Sequence, residues 1–394
     1  MTFPFAERMR TMKPSTIREM LKMTECPEVI SFAGGLPAPE LFPVDDIRVA
    51  ADRMLAECGS AALQYGVTQG IAPLREKIAQ EMASRHITCD ADDILITTGS
   101  QQGLDLIGKV FLDAGDAILT ENPTYLAAIQ SFQCFQARFQ AVPTDDEGII
   151  PEAVAELAAR ERFRFLYVIP NFQNPTGRTL SLERRQRLVD VAHRHDLLII
   201  EDDPYGRLRY RGEHLPPLKS FDSEGRVIYL STFSKAVAPG LRTAWVLAPK
   251  AIQDKLIVAK QAADLHTSSF DQLVLDRYLR DFDNHQHVAK VCAAYGERYG
   301  VMHEALTQHM PEGFRWTQPD GGMFLWITGP SDFDAYALFS TAIEHNVAFV
   351  PGADFFIGEE GDNCLRLNFS NAQPDNIREG IKRLAQLCQS TGTR

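Results

Sequence analysis

Five short, continuous apolar runs recur along the chain, at residues 94–98, 117–120, 165–169, 197–200 and 227–230, and each leads into a polar turn or a helix. Runs that are apolar at every position belong to strands buried on both faces. Their helix-length spacers predict a largely parallel sheet covered on both sides. Helical periodicity precedes them at 45–59 and 73–85, with a polar, glycine-bounded loop around Tyr65 between the two. Upstream, residues 1–28 read as a mixed-charge amphipathic segment in which Pro14 and Ser15 can start a helix. The paired glycines and prolines that follow fit either a plain linker or a loop that lets backbone approach a ligand. Beyond the fifth run the pattern changes. A long, interrupted helical stretch runs from 268 to about 309, and its polar part at 281–287 is the expected crossing into a second, small α+β domain. That domain has strands near 322–327 and 365–369 and a last helix with Ile377, Ile381, Leu384 and Cys388 on one stripe.

Ligands of parallel sheets bind beyond the carboxyl ends of the strands, so the residues there are the candidates for chemistry. After the first run, Ser100 and Gln101 open a helix whose free backbone N–H groups can seat a phosphate; a serine N-cap is the plainer alternative. The second run leads to Tyr125, which is either a packed core ring or a wall of the crevice. Asn174 stands in an amide-rich turn after the third, before a helix that Ser181 can cap. The fourth ends in Glu201, Asp202, Asp203 and Tyr205. Such carboxylates can be solvated or cap a turn, or one can partner a protonated ring nitrogen.

The fifth run delivers Ser231, Thr232, Ser234, Lys235 and, seven residues on, Arg242. The hydroxyls and the guanidinium can hold a phosphate, and burial would depress the Lys235 pKa and make its neutral amine a nucleophile or Schiff-base partner. Arg366 lies within a strand among apolar neighbours, where an unpaired charge is costly, so a carboxylate of the protein or of a substrate should meet it.

Composition narrows the partners. At 394 residues the chain exceeds the usual reach of one core, and its net charge of −12 with no long basic run argues against nucleic acid or an anionic membrane. Seven cysteines scattered singly fit buried thiols in the cytoplasm, and His285 with His287 lacks the companions a metal site needs. The first ten residues carry charges and a proline where a signal peptide needs an apolar run.

Taken together, Ala33-Gly34-Gly35-Leu36-Pro37, Tyr65-Gly66, Gly99-Ser100-Gln101-Gln102, Asn122-Pro123-Thr124-Tyr125, Asn174-Pro175-Thr176-Gly177, Asp202-Asp203-Pro204-Tyr205, Ser234-Lys235 with Pro239-Gly240-Leu241-Arg242, and Arg366-Leu367-Asn368-Phe369-Ser370 resemble one family. It is that of the fold-type-I aminotransferases that use pyridoxal 5′-phosphate (PLP), in the branch of 2-aminoadipate and kynurenine aminotransferases. The resemblance spans the chain from about Ser15 to its end and implies an α/β fold: a large domain with a mostly parallel seven-stranded sheet between helices, plus a small α+β domain. The implied division is 1–44 as a segment that joins the small domain and covers the site, 45–283 as the PLP-binding domain and 284–394 as the small domain.

By the same resemblance Lys235 would bind PLP as a Schiff base and move the proton at the substrate Cα, and Asp202 would pair with the ring nitrogen. Asn174 and Tyr205 would bind the ring oxygen and Tyr125 would lie on the ring. Ser100, Gln101, Thr232, Ser234 and Arg242 would hold the phosphate, with Tyr65 arriving from the second subunit of a homodimer. Thr232 replaces the more usual serine and keeps its hydroxyl. Arg366 would take the α-carboxylate, while Arg18 with Gly35 would meet the substrate side chain. The implied reaction is ping-pong transfer from an α-amino acid to 2-oxoglutarate. Another PLP reaction, such as β-elimination or decarboxylation, shares the scaffold. A sensory module would require a DNA-binding domain for which about thirty residues are too few, and a nicotinamide protein would need a GxGxxG that follows none of the runs.

Overall fold

The computed structural model describes residues 3–12 and 28–391. Seven strands form the central sheet: β1 (Ile94–Thr98), β2 (Ala117–Glu121), β3 (Arg138–Val142), β4 (Phe165–Val168), β5 (Leu198–Asp202), β6 (Val227–Thr232) and β7 (Thr243–Leu247). Their spatial order is β1-β7-β6-β5-β4-β2-β3. All run parallel except β7, which is antiparallel to both neighbours. The five apolar runs are β1, β2, β4, β5 and β6. The link from Thr232 to Thr243 is shorter than the dozen or more residues that a helical crossover takes, and β7 returns antiparallel. β3 escapes the apolar pattern because it is the edge strand, where Arg138 is exposed and Gln140 is only partly covered.

Helices cover both faces of the sheet, and separate apolar clusters lie on its two sides. The helix after β1 runs from Ser100 to Phe111, so its polar first turn already carries helical backbone. The C-terminal stretch 268–309 is two helices, Ser269–Asp281 and Asn284–His309, and the Asp283 carboxylate caps the second by accepting from the Gln286 N–H at 3.0 Å.

A second, antiparallel sheet holds four strands in the order Arg315–Trp316, Phe324–Thr328, Cys364–Asn368, Val350–Pro351. The early pair Ile30–Ser31 adds parallel to Val347–Ala348, which ties the chain's beginning to its C-terminal part. The last helix, Pro374–Thr391, lays Ile377, Ile381, Leu384 and Cys388 into the core, all at most 3% exposed. Near the start, Glu7–Thr11 is a short helix; the helix expected from Pro14 falls outside the described residues. Among those residues no helix is long and apolar enough to cross a membrane, no cluster of three metal-ligating side chains occurs, and six cysteines are free thiols.

Because Leu384 is fully buried on that stripe, Leu384→Ala should destabilise the fold by about 2–5 kcal/mol, through lost transfer energy and the cavity left behind. Urea unfolding followed by circular dichroism measures it.

Candidate active site

The carboxyl ends of the parallel strands meet the antiparallel sheet in a cavity of about 380 Å³. On one side is an anion cradle. Gly99, at φ 75°, occupies the cap of the helix that follows β1, and Ser100 is its first helical residue rather than its cap. A side chain at position 99 would collide with the Arg242 guanidinium, so glycine is what allows that cation to lie against the turn. Arg242 itself has φ 46° and donates to the Thr98 carbonyl at 3.5 Å. Beside it, Thr232 Oγ1 donates to Ser234 Oγ at 2.9 Å and accepts from the Ser234 N–H at 3.0 Å. The Gln101 side chain turns away to Ser131 and the Ala127 carbonyl, leaving its backbone N–H in the first helical turn.

The three carboxylates at the end of β5 have separated fates, since successive side chains leave a strand on opposite faces. Glu201 accepts the backbone N–H groups of Leu218 and Lys219, both at 2.8 Å. Asp203 is gripped by Arg85 at 2.6 Å, Asn171 at 2.8 Å and the Tyr229 hydroxyl at 2.9 Å. Asp202 faces the cavity and has one hydrogen-bond partner among the described residues: the Tyr167 hydroxyl donates to Oδ2 at 2.7 Å, while the buried Oδ1 has none. Burial pushes the Asp202 pKa up to about 7, with Tyr167 pulling the other way and Asp203 adding to the rise.

Lys235 reaches across from the segment after β6, and its Nζ donates to the Gly35 carbonyl at 3.0 Å. Desolvation, helped by the positive charges of Arg366 and Arg242, lowers its pKa to about 8. Arg366 stands in the second sheet, 3% exposed, with Nη1 donating to Asn174 Oδ1 at 2.8 Å and Nη2 to the Ala33 carbonyl at 2.7 Å. Its guanidinium lies 4.3 Å from the Phe324 ring centre and 5.1 Å from that of Phe355. Among the described residues no carboxylate pairs with it, its Nε is buried without a partner, and desolvation lowers its pKa to about 10. The other end of Asn174 donates to the Tyr205 hydroxyl at 3.5 Å, and burial raises the Tyr205 pKa.

Gly35, Ser100, Gln101, Tyr125, Asn174, Asp202, Tyr205, Thr232, Ser234, Lys235, Arg242 and Arg366 all line this one cavity. Tyr65 does not: it is 80% exposed, edge-on to His266 with ring centres 5.9 Å apart. Arg18 lies outside the described residues. Sequence reasoning missed Tyr167, hidden as one apolar-run member among others, and the two phenylalanines that wall Arg366. A hydroxyl inside an otherwise apolar strand was the available signal for Tyr167, because a buried phenol needs a polar partner.

A mostly parallel seven-stranded sheet with a lysine, a carboxylate and a guanidinium gathered at its strand ends is the architecture of fold-type-I PLP enzymes. The chain belongs to one family of them, aminotransferase class I and II, whose model matches residues 28–384. It is 45% identical over 388 residues to the aromatic-amino-acid aminotransferase 1 of Thermococcus litoralis, covering 97% of this chain and 93% of that one. It is 46% identical over 376 residues to the 2-aminoadipate transaminase of Thermus thermophilus, covering 94% and 93%. Among solved structures, the kynurenine aminotransferase of Pyrococcus horikoshii, determined with pyridoxamine phosphate, superposes with a TM-score of 0.96 at 41% identity over 99% of this chain and 98% of that one. The protein is a PLP-dependent aminotransferase. Its cavity suits that cofactor: the unpaired, buried Asp202 Oδ1 can accept from a ring N–H, and the cradle of hydroxyls, guanidinium and helix N–H groups can take a phosphate.

Two titrations follow from this geometry. Capture of an aldehyde needs the neutral amine, so the rate at which apoprotein takes up PLP should rise with pH through an inflection near 8. Arg366→Gln should move that inflection upward by removing a neighbouring positive charge. Tyr167→Phe removes a hydrogen bond that favours the ionised carboxylate and should raise the Asp202 titration above about 7. The carboxyl stretch in infrared difference spectra of apoprotein, assigned by its loss in Asp202→Asn, reads that shift.

Proposed function

We propose that the enzyme moves the amino group of an α-amino acid to 2-oxoglutarate in two half-reactions, with 2-aminoadipate, aromatic and aliphatic amino acids as donors. The observation that carries this reading is the meeting of Lys235, Asp202 and Arg366 in one cavity, with no protein carboxylate on Arg366 among the described residues. A two-pronged guanidinium held this way suits an α-carboxylate, the group common to all the donors. The donor range is supported by relatives named for aromatic amino acids, 2-aminoadipate and kynurenine.

When bound, PLP supplies a sink for the electron pair released at the substrate Cα. Lys235 is the residue that holds the cofactor and then carries the proton to and from Cα; its depressed pKa keeps a useful fraction of neutral amine near pH 7. Asp202 holds the proton on the ring nitrogen, and a positive ring beside it would pull its pKa back down. Asn174 and Tyr205 hydrogen-bond the ring oxygen, and Tyr125 packs on the ring face. Ser100, Gln101, Thr232, Ser234 and Arg242 bind the phosphate. Gly35 and Arg18 would meet the substrate side chain, where an arginine favours a second carboxylate.

In this reading residues 1–44 cover the site, 45–283 hold the cofactor and 284–394 bring Arg366. The enzyme works as a cytoplasmic homodimer, with Tyr65 completing the phosphate site of the other subunit. The exposure of Leu63, Tyr65 and Val67, at 77%, 80% and 58%, supports a partner on that face.

The test is a screen of single half-reactions. Holoenzyme is mixed with each amino acid, then with 2-oxoglutarate, and the visible cofactor absorbance should fall and return. Lys235→Ala should slow turnover by about 10²–10⁴-fold, and turnover at the wild-type rate would overturn the reading. Arg366→Gln should raise KM for every donor, whereas Arg18→Ala should do so only for dicarboxylic ones.

A further inference from the structure

A cavity of about 630 Å³, sharing no lining residue with the active site, opens between the end of helix Ala72–Ser84, the segment 206–217 that follows Tyr205, and the first turns of helix Asn284–His309. That volume is within the range of small-molecule sites. Three arginines line it, Arg85, Arg207 and Arg209, with one acidic residue, Glu81. Two of the three are provided for. Arg85 is held by Asp203 at 2.6 Å and by the Tyr229 hydroxyl. Arg207 meets Glu81 at 3.4 Å and, with the Asn284 amide oxygen turned toward it, a second acceptor at 2.8 Å.

Arg209 is different. Its side chain is 7% exposed and lies with its guanidinium 4.9 Å from the Phe172 ring centre. It donates to the Arg211 carbonyl at 3.0 Å, and the carboxylate it meets, Asp320, is 3.9 Å away and half in solvent. Desolvation outweighs that distant charge and holds its pKa below the ordinary arginine value. A buried cation so weakly countered is costly unless an anion joins it. Much of the remaining wall is apolar and includes Leu215, Pro216, Val288 and Ala289. His214 also faces the cavity, but burial and the nearby guanidiniums lower its pKa, so it adds no charge at neutral pH.

We propose that this cavity is a second ligand site, taking a small organic acid whose carboxylate pairs with Arg209 and whose hydrocarbon body rests on Leu215, Val288 and Ala289. The pairing suits a carboxylate because the guanidinium fork matches its two oxygens, and the apolar wall selects a molecule with a body over a bare anion. The site also lies away from the face that presents Tyr65. The 13-residue helix Ala72–Ser84 runs from the Tyr65 side to the cavity, a span of about 20 Å at 1.5 Å per residue. Its ligand would touch the segment directly following Tyr205, and Arg85 on its wall grips Asp203, the neighbour of Asp202.

Calorimetric titration of the holoenzyme with benzoate, and separately with inorganic phosphate, tests the proposal. Benzoate should bind, and should still bind Arg366→Gln, in which the active-site carboxylate receptor is removed. Arg209→Gln should weaken it at least about tenfold, the scale of one charge-assisted hydrogen-bonded pair. Ala289→Trp, which fills the cavity from an exposed position without touching a charge, should abolish it, so the outcome does not hang on how Arg209→Gln folds. The proposal fails if benzoate does not bind at millimolar concentration, if binding is lost in Arg366→Gln, if it survives Ala289→Trp unchanged, or if phosphate binds as tightly as benzoate.

Discussion

Lys235, Asp202 and Arg366 share one cavity, and among the described residues none of them has an opposite charge at contact distance. Lys235 has a backbone carbonyl, Asp202 a phenol, and Arg366 an amide, a carbonyl and two aromatic rings. Removing a charge from water costs several kcal/mol, and a group so placed relieves the cost by moving toward its neutral form. The same event that makes the site expensive therefore makes it useful. The lysine moves toward a free amine, the carboxylate keeps an open oxygen, and the guanidinium keeps an unpaired donor. Neighbouring charges show the contrast, for Asp203 and Glu201 leave the same strand end fully engaged and serve the scaffold.

The parallel sheet makes this concentration of charge possible. Its strand ends converge and deliver polar residues beyond buried apolar segments. Asn174 then acts as the joint between the two sheets, giving its oxygen to Arg366 and its nitrogen to Tyr205. The loop before the first long helix closes the ring, with the Ala33 and Gly35 carbonyls receiving Arg366 and Lys235. A shift between the sheets would break both links at once. Tight packing at the junction opposes that, since Gly177 leaves no room for a side chain beside the Phe324 carbonyl.

Much of the fold was readable because continuous apolar runs have few alternatives to buried strands, and their polar ends named the cavity lining from Ser100 to Arg242. The unreadable parts failed for physical reasons. An edge strand such as Arg138–Val142 does not need apolar residues on both faces. Tyr167 hid among apolar neighbours because its hydroxyl is the one polar side-chain atom in the strand Phe165–Val168. Burial and spacing alone did not rank the three adjacent carboxylates at the end of β5, since each one's environment is made by residues distant along the chain: Tyr167, Arg85 and the turn at Leu218.

Residue order by itself determined which side chains stand at the strand ends, and so the type of chemistry available, because strand burial and turn propensity are local properties. Only the tertiary structure decided which of those side chains lack a partner. That depends on what arrives from elsewhere: Gly35 to Lys235 across two hundred residues, Asn174 to Arg366 across nearly as many. A pKa is set by such company and by the loss of water, and neither is written in the neighbouring letters of a sequence.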